Sequence, residues 1–192
     1  ERLRITSAGD TEIRNIVSVI NNSYSQYLKF RTTQTNGQST VTGQIAAQGK
    51  SGWGGDLVFY TKPANGTPND TVTERLRITS GGDLQRPKSL SQEVSTSVSS
   101  VSATSCGSFA KATYRSAYVI AQITQGSSYQ VGRYLVIHDG TTATTVEESA
   151  IATGDMLGTF SGVVSGSNVE FRVTMSSASS ATVITKIESI VV

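Results

Sequence analysis

The chain has 192 residues, of which 36% are hydrophobic, 16% charged and 7% aromatic, enough to fold but too little for a thick core. Its formal charge of +2 comes from interspersed acids and bases, leaving no basic stripe to follow a phosphate backbone, and no apolar run of about 18 residues could cross a bilayer as a helix, so neither nucleic acid nor membrane insertion is expected. With 18 glycines against 3 prolines, and many Ser and Thr, the composition favours strands and turns over helices, and the expected class is all-β.

The chain opens on Glu1-Arg2-Leu3-Arg4-Ile5-Thr6-Ser7-Ala8-Gly9-Asp10, and a near copy stands at Glu74-Arg75-Leu76-Arg77-Ile78-Thr79-Ser80-Gly81-Gly82-Asp83. In both, Leu and Ile sit two apart with arginines between them, which is strand periodicity, and a Gly-Asp turn follows. A phrase that returns after about 73 residues marks a repeat, so Glu1 is expected to stand inside a longer array whose units bury surface against their neighbours. Between the copies, strands are expected at Ile13 to Ile20, Tyr27 to Thr33, Thr40 to Gln48 and Asp56 to Lys62, with an Asn36-Gly37 hairpin turn and a polar loop from Pro63 to Thr73.

Each of these strands carries only two or three apolar side chains, and no helix or second layer is available to cover them. Identical chains wound about a common axis would bring Leu3, Ile5, Leu28, Phe30, Leu57, Phe59, Leu76 and Ile78 against their symmetry mates. A homotrimer is the expected assembly, with residues 1–87 as its repeat segment.

A Ser-rich stretch over 88–107 reads as a connector, and a C-terminal β-sandwich of jelly-roll type is expected over 108–192. Its strands are placed at Phe109 to Thr113, Ala117 to Thr124, Tyr129 to His138, Thr144 to Ala152, Leu157 to Ser161, Val169 to Met175 and Val183 to Val192. In Val169-Glu170-Phe171-Arg172-Val173-Thr174-Met175 the odd positions are all apolar, so Val169, Phe171, Val173 and Met175 should face the core and Glu170 and Arg172 the outside.

Catalytic chemistry is not expected. Cys106 is the only cysteine and, far along the chain from the single histidine, reads as a small buried residue rather than a nucleophile. Glu147 and Glu148 are strand neighbours that point to opposite faces, so they cannot flank one bond. His138-Asp139-Gly140 reads first as a turn, and a single chain has no set of ligands for a metal, although symmetry could gather copies of His138 on an axis. No cofactor is expected.

The paired phrases Gly54-Gly55-Asp56-Leu57-Val58-Phe59-Tyr60-Thr61-Lys62 and Thr73 to Asp83 resemble the repeat in tail-fibre and related appendage proteins of tailed bacteriophages. Segments around Phe109 to Ala117, Leu135 to Thr142 and Val169 to Met175 are similar to C-terminal modules in structural proteins of marine phages. The resemblance covers nearly the whole chain. It implies a virion protein forming an elongated, intertwined trimeric β-fibre, joined to other tail or adaptor proteins through upstream sequence, with a tip that meets a host-surface glycan or protein. The self-cleaving chaperone domain with a Ser-Lys dyad that often follows this repeat is not found in the sequence. On such a tip, adhesion is expected at the turns Gln125 to Ser128, His138 to Thr142, Ser165 to Ser167 and Ser176 to Ser180. Tyr114, Tyr118, Tyr129, Tyr134, His138 and Asp139 are the candidate contacts, although packing in the core or between subunits is the commoner role of a tyrosine. A non-adhesive appendage or trimerisation cap is the alternative, and a polysaccharide-degrading tailspike is disfavoured by the missing carboxylate pair.

Overall fold

A computed structural model of the chain describes residues 3–5, 11–13, 25–33, 39–50, 54–63 and 70–192. Among these residues there are strands and turns but no helix, so the chain is all-β, and every paired strand is antiparallel. Two compact units divide between Pro87 and Lys88.

The N-terminal unit contains β1 (Leu3–Ile5), β2 (Thr11–Ile13), β3 (Ser25–Thr33), β4 (Ser39–Gly49), β5 (Gly55–Thr61), β6 (Thr73–Ile78) and β7 (Leu84–Arg86). Most of the expected strand Ile13 to Ile20, the Asn36-Gly37 turn and residues 64–69 of the polar loop lie outside the described residues. The repeated phrase makes the same hairpin twice. In β1–β2, Ile5 pairs with Thr11 and Arg4 with Glu12; in β6–β7, Ile78 pairs with Leu84 and Arg77 with Gln85, the same positions one repeat later. In the second copy the turn is closed by Gly82 N–H on the Thr79 carbonyl and Asp83 N–H on Thr79 Oγ1, and Gly82 has a φ of 91°, where a side chain would be strained.

Strands β3 to β7 follow one another as a meander. Register sets Leu28, Ile45, Phe59 and Leu76 in one row, with Ala47, Leu57, Ile78 and Leu84 in the next row on the same face. That apolar face is open: Leu28, Phe30, Leu57 and Leu84 are exposed, and Phe59, Leu76 and Ile78 only half-buried. The side chains of Leu3 and Ile5 lie outside the described residues. On the opposite face Gln44, Ala46, Asp56 and Val58 are buried.

The C-terminal unit contains β8 (Ser89–Val98), β9 (Thr104–Ala110), β10 (Tyr114–Gln125), β11 (Ser128–His138), β12 (Ala143–Ala152), β13 (Gly158–Ser165), β14 (Asn168–Met175) and β15 (Ala181–Val191). One sheet has the order β12-β11-β10-β15-β8 and the other β13-β14-β9. The stretch 88–107, expected as a connector, instead forms β8 and the start of β9. Its serines are no bar to a strand because Leu90, Val94 and Val98 recur on one face, and β15 supplies a ladder from Ala181–Val98 to Ile190–Ser89.

Between the sheets lies one core. Val169, Phe171, Val173 and Met175 are buried in it, as the odd-position pattern of β14 predicts, while Arg172 and Glu170 pair outside it at 2.8 Å. Phe171 stacks on Phe160 with ring centroids 5.1 Å apart, and the Tyr134 ring closes on both at 5.3 and 5.0 Å.

Candidate functional site

Antiparallel hairpins send the turns of the sandwich to opposite ends, and the four candidate turns divide accordingly. At one end, Gln125 Nε2 donates to the Ser179 carbonyl at 2.7 Å and Ser177 Oγ to Gln125 Oε1 at 3.2 Å, tying the turns after β10 and β14 together. At the other end, Lys111 joins the turns after β11 and β13, its N–H on the Ser167 carbonyl and its Nζ on the Gly140 carbonyl. The four turns therefore offer two separate surfaces rather than one.

His138 ends β11 as a buried side chain with both ring nitrogens engaged. The Gly140 N–H donates to Nδ1 at 3.0 Å, so Nε2 carries the hydrogen and donates to the Tyr114 carbonyl at 2.7 Å. No lone pair remains for a metal or a substrate proton; the residue fastens the turn to β10. Asp139 is exposed, and its Oδ1 accepts from the Thr142 and Thr141 amides and the Thr141 hydroxyl at 2.7–2.8 Å. Those bonds, the Thr142 amide first, hold its carboxyl down at about 2. Gly140 at φ 104° completes the turn.

The tyrosines separate by face. Tyr114 and Tyr134 are buried in the core; burial, and after it the Glu147 carboxylate, push the Tyr134 phenol far above its ordinary value. Tyr118 and Tyr129 stand on the outer side of the larger sheet. The Arg133 guanidinium lies 5.5 Å over the Tyr118 ring and donates to its hydroxyl. Tyr129 is exposed beside a cleft of about 290 Å³ lined with Gln122, Val131, Ile151 and Thr153. Burial also pushes the Cys106 thiol up to about 12, and its Sγ–H reaches the Phe171 carbonyl at 3.2 Å. Glu147 and Glu148 are both exposed, a bulge interrupting their register with β11. Among the described residues no three His, Cys, Asp or Glu side chains converge as metal ligands do.

One ionic cluster is not anticipated by the sequence reading. The Asp56 side chain is wholly buried, and Arg77, 17% exposed, donates to it at 2.5 Å; Lys50 approaches the same oxygen at 3.1 Å, and the Ser80 N–H donates to the other at 3.0 Å. Arg77 also grips Glu74 with two hydrogen bonds and Gln48 with a third. Burial alone would raise the Asp56 carboxyl, but the bonds from Arg77, Lys50 and Ser80 outweigh it and leave the group below its ordinary value. Asp56 belongs to the first of the two paired phrases and Arg77, Glu74 and Ser80 to the second, so this cluster ties the two phrases together in the folded unit.

Comparison with protein-family models and with curated proteins finds no match to this chain.

Proposed function

We propose that this chain is a structural segment of a homotrimeric tail fibre of a tailed bacteriophage, residues 1–87 serving as shaft repeat and 88–192 as tip. The observation that carries the reading is the open apolar face of the meander. Leu28, Phe30, Leu57, Phe59, Leu76 and Ile78, the described residues of the expected trimer core, all share it, and Ile45 and Leu84 extend it. An apolar sheet face of this extent is destabilised in water, and identical chains about an axis would bury it. The twice-made hairpin supports a periodic shaft, since each unit re-enters the same register. A jelly-roll-like reading of the tip is supported by the pairing of its first strand with its last, β8–β15, and of its second with its seventh, β9–β14; β10, β11 and β12 depart from it by remaining consecutive in one sheet. The fibre assigns the chain to the virion, where it acts without catalysis or cofactor.

Adhesion to a host-surface glycan is the second reading, favoured by exposed Tyr129 over its cleft, with the Gln122 amide and Thr153 hydroxyl within the lining. Sedimentation of the full chain tests the assembly, with a trimer expected and a folded monomer at micromolar concentration contradicting it. Adsorption to intact and stripped host cells tests the adhesion. Tyr129→Ala together with altered turns should abolish adsorption while leaving the trimer intact; unchanged adsorption would leave the tip as a structural cap.

A further inference from the structure

The outer face of the β12-β11-β10-β15-β8 sheet is unlike the polar side that a half-buried antiparallel sheet presents to water. Ile137, Leu135, Val146, Val131, Ile151 and Ile184 are all exposed there, Ile151 to 69%. With Ile120, Tyr129 and Ile190 they leave on the order of 800 Å² uncovered, more than the largest patch of a typical monomer and about what one partner contributes to a stable interface.

The charges on the face choose between ways of covering it with copies of the same chain. Register sets Ser149, Arg133, Ile120, Lys186 and Glu93 in one row running from β12 to β8. A two-fold axis centred on the face and parallel to the strands would lay Arg133 over Lys186 of the other copy, and one across the strands would lay Arg133 over its own mate. Either places like charges together. A cyclic arrangement brings the β11–β12 side of one copy beside the β8 side of the next, where Arg133, which lies over Tyr118 of β10 in the single chain, would turn outward past the small Ser149 to meet Glu93. Ser89, Ser91 and Ser95 on β8 leave room for that approach.

We infer that the outer face of this five-stranded sheet is itself a subunit interface, buried against the same face of two further copies about a three-fold axis, with Arg133 of each copy meeting Glu93 of the next. The inference rests on the trimer proposed above and extends it from the repeat to the C-terminal unit. It also covers the Tyr129 cleft, so it and adhesion through that cleft exclude one another.

Single cysteines in the full chain read the face, because Cys106 is buried. Ile184→Cys should react with a maleimide at least tenfold more slowly than Thr174→Cys, which stands exposed on the other sheet, and the difference should vanish in denaturant; equal native rates would overturn the inference. Combining Ser149→Cys with Glu93→Cys tests the geometry, because Ser149 stands between Arg133 and the Glu93 it meets. Within one chain β11, β10 and β15 separate these positions by about 19 Å, too far for a disulfide. Oxidation should therefore give covalent trimers on a denaturing gel, whereas covalent dimers alone, or no product above one chain, would overturn the cyclic packing. Sedimentation of the unmodified chain separates the two levels. A trimer with fast labelling at residue 184 overturns this inference alone, and a monomer overturns the trimer as well.

Discussion

In the N-terminal meander the buried positions of β5 are Asp56 and Val58 while Leu57 is exposed; in the C-terminal sandwich the buried positions of β14 are Val169, Phe171, Val173 and Met175 and the polar residues are outside. Both strands alternate with period two, yet in β5 the ionic side is closed and the apolar side open. Alternation defines two faces, and a covering layer decides which becomes interior. The sandwich has that layer in β13, β14 and β9. The described residues of the meander close their ionic face with Arg77, Lys50 and Gln48 and leave the apolar face uncovered.

The largest effect should come from attacking that open face. Leu76→Asp places a carboxylate on a half-buried position of one chain, which is mild for a monomer. In a trimer it would bury three unpaired charges near the axis and abolish assembly, and sedimentation reads the difference. Persistence of the trimer would break the contrast between the units. Phe171→Ala should cost the sandwich about 3–5 kcal/mol, the range for truncating a packed aromatic core residue, measured as a shift in denaturant midpoint at matched protein concentration.

A smaller, pH-dependent effect belongs to the ionic face. Because the folded Asp56 carboxyl lies below its unfolded value of about 3.9, its stabilisation is fully present above that pH and is lost as pH falls through the folded value. Thermal melts from pH 6 down to pH 2 should therefore show an acid-dependent loss in the N-terminal unit that Asp56→Asn removes, with reduced stability at neutral pH. An unchanged acid slope in Asp56→Asn would show that the cluster does not stabilise the fold. The smallest expected effect is Gly140→Ala, about 1 kcal/mol from forcing a side chain into φ 104°, with the core unaffected by near-ultraviolet circular dichroism.

Strand periodicity, turn chemistry and composition are local properties, so the all-β class, six of the seven expected strands of the sandwich and the inward side of β14 were legible in the residues. Of the expected strand Phe109 to Thr113, only Phe109 and Ala110 belong to a strand, β9, and residues 111–113 form the turn before β10. The repeat was legible too, and its two copies pair in one register. What could not be read there depends on distant pairing. Ser89 to Val98 resembles a connector until β15, far along the chain, offers its ladder. His138 and Tyr134 look like contact residues until the folded sheets seal them, the first between the Tyr114 carbonyl and the Gly140 amide and the second between Phe160 and Phe171. The Asp56–Arg77 pair joins residues 21 positions apart, and the apolar outer face of the larger sheet exists only once four strands lie side by side in register. A side chain's neighbours within a strand follow from its sequence, but its neighbours across strands follow from topology, and burial is set by the second.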